Sequence, residues 1–126
     1  MTDRFPDLEI YLMKPAPDAV RDWLAGALGS AATDISLTPG HSHWRFTVQG
    51  EAMDVFLNEN AEKNFASLWF KQNLSPWNSD LDCARAAHAA LAIEIRCSDS
   101  SWQEDEDEAE QPWIKLIRGE EKPLKW

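Results

Sequence analysis

The chain has 126 residues, 44% of them apolar, with 12 basic and 22 acidic side chains and a formal net charge of −10. That length and apolar content supply the core of one domain, 1–126, and leave no room for a second unit of ordinary size. The charge argues against nucleic acid and anionic membrane as partners, because both repel an acidic surface, and leaves a basic protein as the expected partner.

The chain turns polar within its first residues, with no basic segment followed by an apolar one, and no span reaches the roughly 18 apolar residues of a membrane helix. Cys83 and Cys97 lie fourteen apart without a CxxC spacing, which reads as two buried thiols rather than a zinc or redox motif. A cytoplasmic protein with reduced cysteines is the expectation.

Leu8, Ile10 and Leu12 alternate with polar or larger neighbours, the period of a strand with one apolar face. Lys14-Pro15-Ala16-Pro17 ends it, and Pro17 then fits the first turn of a helix, with Asp18 at the positive end of the helix dipole. Val20, Trp23, Leu24, Ala27 and Leu28 form an apolar stripe at helical spacing, and Gly29 supplies the stop. A short strand is expected over 34–37. Trp44, Phe46 and Val48, a turn at Gln49-Gly50, and Met53, Val55 and Leu57 have the pattern of a β-hairpin. The segment 58–64 reads as a polar connection. The segment 65–71, apolar on both faces, reads as a central or doubly covered strand.

A second helix is expected from Ser79, whose Ser79-Asp80-Leu81-Asp82 resembles a capping box, through the alanines to Leu91. Ile93 and Ile95 begin another strand, an acidic connection over 99–111 follows, and 113–117 and 124–126 read as the last strands. The order strand, helix, strand and hairpin occurs over about 7–58 and again over 64–126. It predicts an α+β domain, mostly antiparallel sheet with two helices, built either as one sheet with the helices on one face or as two small sheets around a groove.

Residues 104–110 hold six of the 22 acids; the rest of the chain, 12 basic against 16 acidic, carries only −4. The run reads either as a solvated loop or as an anionic patch for a basic protein surface. Trp102 and Trp113 bracket it. The leading expectation is therefore a non-catalytic protein-binding module, of the size and charge of an immunity or inhibitor protein, using Trp102, Glu104, Asp105, Glu106, Asp107, Glu108 and Trp113. A second reading is a small-molecule module with an aromatic cleft between the half-units, lined by Trp44, Trp69, Phe70 and Trp77. A third rests on the repeated order of elements, which is similar to that of the glyoxalase-like superfamily and implies a metal-dependent enzyme using His41 or His43 with a carboxylate. The two histidines would share one side of an extended segment, but no third ligand is identifiable, so no metal and no cofactor are expected. Glu9, Glu51, Asp54 and Glu94 are scattered carboxylates that sequence alone does not pair. Glu9 and Glu94 fall on the solvent-facing side of their strands, and His88 falls on a helix face as a half-buried packing residue.

Overall fold

A computed structural model describes residues 7–98 and 113–124 of the chain. Eight strands and two helices occur in the order β1 (Leu8–Met13), α1 (Pro17–Leu28), β2 (Thr33–Thr38), β3 (His41–Val48), β4 (Glu51–Glu62), β5 (Phe65–Phe70), α2 (Asp80–Leu91), β6 (Ile95–Ser98), β7 (Trp113–Ile117) and β8 (Glu120–Leu124). All strands join one sheet with spatial order β2-β3-β4-β5-β1-β6-β7-β8, and every pairing is antiparallel. The fold is α+β, as expected, and it takes the one-sheet form.

The unit strand, helix, three strands occurs twice, as β1-α1-β2-β3-β4 and β5-α2-β6-β7-β8. The units interlock. β1 and β5 lie side by side at the centre; β4 follows next to β5, and β6 joins the other side of β1. Each three-strand ribbon therefore hangs from the first strand of the other unit.

Local sequence explains the elements. Pro17 opens α1 with no side-chain cap needed from Ala16, and Gly29 closes it at φ 67° with its N–H on the Ala25 carbonyl. Ser79 caps α2 by accepting the Asp82 N–H at 3.2 Å. Gln49-Gly50 and Arg118-Gly119 all have positive φ, and each pair separates directly opposed strand residues, Val48 from Glu51 and Ile117 from Glu120. Two-residue turns of this hand match the right-handed twist of the strands they join.

Three boundaries differ from the sequence reading. β6 begins at Ile95 and leaves Ile93 and Glu94 outside it. β4 continues through the polar stretch to Glu62: its pairing with β3 ends at His41–Asn58, the Glu59 N–H donates to the Gly40 carbonyl at 2.9 Å, and after an irregularity Glu62 pairs with Phe65 of β5. Half-exposed polar residues suit a strand with one neighbour. The last strand starts at Glu120, directly after the Arg118-Gly119 turn, rather than at Leu124.

Both helices cover the same sheet face. Leu8, Ile10, Leu12, Trp44, Phe46, Met53, Val55, Leu57, Leu68 and Phe70 point toward Val20 and Leu24 of α1 and Cys83, Ala84 and Ala87 of α2 in one buried cluster. Trp77, on the link into α2, stacks on Trp23 at 5.2 Å and meets Phe70 edge-on at 6.0 Å, closing the seam between the helices and the sheet. Both cysteines are free thiols in this core, and burial pushes the Cys83 thiol well above its ordinary pKa. Leu24 is completely buried, so Leu24→Ala is expected to lower unfolding free energy by about 2–5 kcal/mol in urea titration.

Candidate functional site

Period-two alternation sends the other half of each strand to the face that carries no helix. Register places His43, Phe56, Trp69 and Glu9 in one row across β3, β4, β5 and β1. His43 stacks on Phe56 at 4.2 Å and Phe56 on Trp69 at 5.3 Å, and the Trp69 indole N–H donates to Asp7 Oδ2 at 2.9 Å. A second row contains Ser67, Tyr11, Arg96 and Lys115. Tyr11 meets Trp113 edge-on at 5.7 Å. Arg96 lies 4.3 Å over the Phe65 ring and donates to Glu94 at 2.8 Å. The Glu94 side chain is only 8% exposed, so it is a buried ion-pair partner and not the solvent-facing residue its alternation suggests.

Asp54 is the polar centre of the β3–β4 half. Its carboxylate accepts from His43 Nε2 at 3.0 Å, Arg45 Nε at 2.9 Å and Gln72 Nε2 at 3.4 Å, while its own N–H donates to Gln72 Oε1 at 3.0 Å. Partial burial works to raise this carboxyl, but the donors from His43, Arg45 and Gln72 and the Arg45 charge outweigh it and hold the pKa below the ordinary 3.8. The cluster orients an imidazole and a guanidinium side by side, and it ties two strands to the segment after β5.

The opposite half of this face is acidic at one end. Asp80 Oδ1 accepts the Glu9 N–H at 3.0 Å, which brings α2's first residue to the start of β1. The Glu9 pKa is raised by loss of hydration, then by the charges of Asp80 and Asp7, against a lowering bond from Tyr11. Tyr11 is raised by burial and then by Glu9 and Glu62. β6 runs antiparallel to β1, with Tyr11 opposite Arg96 and Leu12 opposite Ile95, so its Ser98 end lies toward Glu9. Ser98 pairs with Trp113; the connection that contains the acidic run therefore leaves and re-enters the sheet at this same end.

Of the residues singled out from sequence, Trp102 and Glu104, Asp105, Glu106, Asp107 and Glu108 lie outside the described residues. Trp113 is described and anchors the edge-on contact with Tyr11. The four aromatic residues expected to line a cleft do not converge. Trp44, Phe70 and Trp77 are buried under the helices, whereas Trp69 stacks on the helix-free face; adjacent residues of one strand, such as Trp69 and Phe70, must face opposite ways. None of the four lines the clefts of about 540 Å³ beside Leu28 and Val48 or about 550 Å³ beside Arg85 and His88. His41 and His43 share the helix-free face, but His43 is engaged by Asp54, and among the described residues no group of three or more His, Cys, Asp or Glu is placed to hold a metal. His88 is a staple: its Nδ1 donates to the Ile93 carbonyl at 2.8 Å and its Nε2 accepts the Gly119 N–H at 2.9 Å.

Sequence reasoning missed Asp7, Tyr11, Phe56 and Asp80 as site members. Tyr11 and Phe56 were legible as off-core positions of their strands and Asp7 as the polar residue just before β1, while Asp80 reaches Glu9 only through tertiary packing. Compared with protein-family models, curated proteins and solved structures, the chain matches none.

The Asp54 cluster predicts a pH signature. A carboxyl whose folded pKa is depressed stabilises the fold above its unfolded value and loses that contribution as pH falls through the folded value. Asp54→Asn is expected to cost roughly 1–3 kcal/mol at neutral pH. The gap to the native protein should close progressively in urea titrations below the ordinary value of 3.8.

Proposed function

We propose that this chain is a non-catalytic binding module that captures a basic protein at the acidic end of its sheet, in the manner of an inhibitor or immunity protein. The observation that carries the reading is the convergence of negative charge. Asp80 accepts the Glu9 N–H at 3.0 Å, the charges of Asp80 and Asp7 add to loss of hydration in raising the Glu9 pKa, and the connection with six acids in 104–110 is rooted at the same end by the Ser98–Trp113 pair. Tyr11, Trp69 and Trp113 stand beside these carboxylates. Carboxylates together with aromatic faces suit Lys and Arg side chains, which gain ion pairing and cation–π attraction at once. Charge of this kind accelerates encounter, and the aromatic anchors set the lifetime of the complex.

The test begins with capture from the native host's lysate at about 50 mM and about 500 mM salt, a range over which surface attraction is strongly screened. The retained protein is then purified and its association rate measured against salt. Replacing Glu104, Asp105, Glu106, Asp107 and Glu108 by their amides is expected to flatten that dependence, and Trp113→Ala to weaken affinity roughly tenfold or more with the fold intact. An unchanged salt dependence, or a captured partner with no basic surface, would refute the reading.

Glu9 supplies a second measurement. A carboxyl with a raised folded pKa opposes folding when ionised, so its favourable contribution exists at acid pH and disappears as pH rises through the folded value. Glu9→Gln should therefore raise the melting temperature at neutral pH, with the gain vanishing as pH drops below the ordinary 4.5. The same variant should bind the basic partner less tightly. That opposition between stability and affinity is what a binding carboxylate produces and a purely structural one does not.

A further inference from the structure

The Gln49-Gly50 and Arg118-Gly119 turns share one backbone form, with positive φ at both positions, but only the second is tied to a helix. The strand ladder resumes at the residue after each glycine, so the glycine N–H must find its partner elsewhere. Gly119 donates to His88 Nε2 at 2.9 Å. The other nitrogen of that ring, Nδ1, lies 2.8 Å from the Ile93 carbonyl oxygen. A carbonyl only accepts and an amide N–H only donates, so the two partners together fix the ring: it is neutral, its proton sits on Nδ1, and the Nε2 lone pair is taken by the Gly119 N–H.

We propose that His88 is a proton-operated latch: neutral, it ties the β7–β8 turn to the link between α2 and β6, and protonated, it releases the turn. A proton added to this ring has one place to go, Nε2, where a second N–H would then face the Gly119 N–H with no acceptor between them. Nδ1 keeps its proton and its bond to Ile93, so the ring stays on its own side and the turn is what leaves. Imidazole is the side chain that ordinarily changes charge between about pH 5 and 8. The Gly119 bond therefore adds to stability at the upper end of that range, where the ring is neutral, and its contribution is lost as pH falls.

The charges around the ring leave this bond as the deciding contact. On α2, Arg85 lies one turn before His88, 3.8 Å from Asp82, and donates twice to Glu121 of β8, at 2.7 and 3.0 Å. On the link, Glu94 accepts from Arg96 at 2.8 Å. Arg118 stands in the turn, and Glu120 opens β8 with Lys122 3.7 Å away; β7 adds only Leu116 and Ile117 to the cleft of about 550 Å³ that these elements enclose. Opposite charges there are largely matched, and His88 lies in the last turn of α2, the helix end that favours a cation. A charged ring is thus acceptable in every respect except the Gly119 N–H. Arg85 beside Glu121 holds that carboxyl below its ordinary 4.5, so this second tie outlasts the first on acidification and keeps β8 against α2 while the turn is loose.

NMR of the native chain tests the latch with no partner present. At about pH 8 the His88 ring should show the Nδ1–H tautomer, and between about pH 8 and pH 5 the Gly119 amide resonance should move with the same midpoint as the ring. Amide hydrogen exchange at Gly119, corrected for its intrinsic pH dependence, should quicken roughly two- to tenfold over that range, the effect of losing one hydrogen bond of ordinary net strength. Exchange at Gly50, in the matching turn, should not change. His88→Gln, which takes up no proton, separates the latch from the titration of His41 and His43: the Gly119 response should vanish while resonances around His43 still shift. Should His88→Gln fail to fold, the shared midpoint in the native protein decides. An Nε2–H tautomer at about pH 8, a Gly119 amide indifferent to the His88 titration, or a Gly119 response that persists in His88→Gln would each overturn the proposal. These readouts are independent of the acidic end and of a basic partner, so the two proposals fail separately.

Discussion

The pairing of β1 with β5 is the constraint on which the rest of the molecule depends. Six register pairs, from Leu8–Phe70 to Met13–Phe65, join strands from opposite halves of the chain. Because the β2-β3-β4 ribbon continues from β5 and the β6-β7-β8 ribbon from β1, neither half completes its sheet without the other. Pairing across so much intervening chain must be closed before its contacts repay the loop entropy. The central strands are accordingly the most apolar: Leu8, Ile10, Leu12, Leu68 and Phe70 are fully buried beneath the helices.

The two faces of the sheet solve different problems. The helix-covered face is an apolar core, with the unbridged thiols of Cys83 and Cys97 packed as small apolar groups. The helix-free face has no helical layer to cover it and is organised instead by stacking and charge. His43, Phe56 and Trp69 shield one another, Arg96 lies over Phe65, and Asp54 gathers three side-chain donors. A buried carboxylate is tolerable only when its lone pairs are so satisfied. These contacts fix side-chain positions on a face that remains partly open, which is the condition for a preorganised binding surface.

Charge divides the sheet along its length. At the β1–β6 end, Asp7, Glu9 and Asp80 lie near the root of the acidic connection, and loss of hydration, followed by the charges of Asp80 and Asp7, raises the Glu9 pKa. The β2 end carries one acid and two exposed aliphatic side chains. The two ends of the sheet thus differ in chemistry, one acidic and the other carrying exposed aliphatic side chains.

Much of the fold was legible in the sequence because it is written in local rules. Pro17 and Gly29 bound α1, Ser79 caps α2, Gln49-Gly50 makes the hairpin turn, and the doubly apolar 65–71 marks a central strand. The acidic run and its flanking Trp113 were likewise visible as composition. Tertiary structure alone decided what meets across the sheet: which ribbon hangs from which central strand, that Asp54 collects His43, Arg45 and Gln72, that Asp80 reaches Glu9, and that Trp69 and Phe70 part company. Periodicity states which side of a strand a residue occupies, but not which strand lies beside it. Adjacency comes from long-range register, and register is settled by the whole core at once.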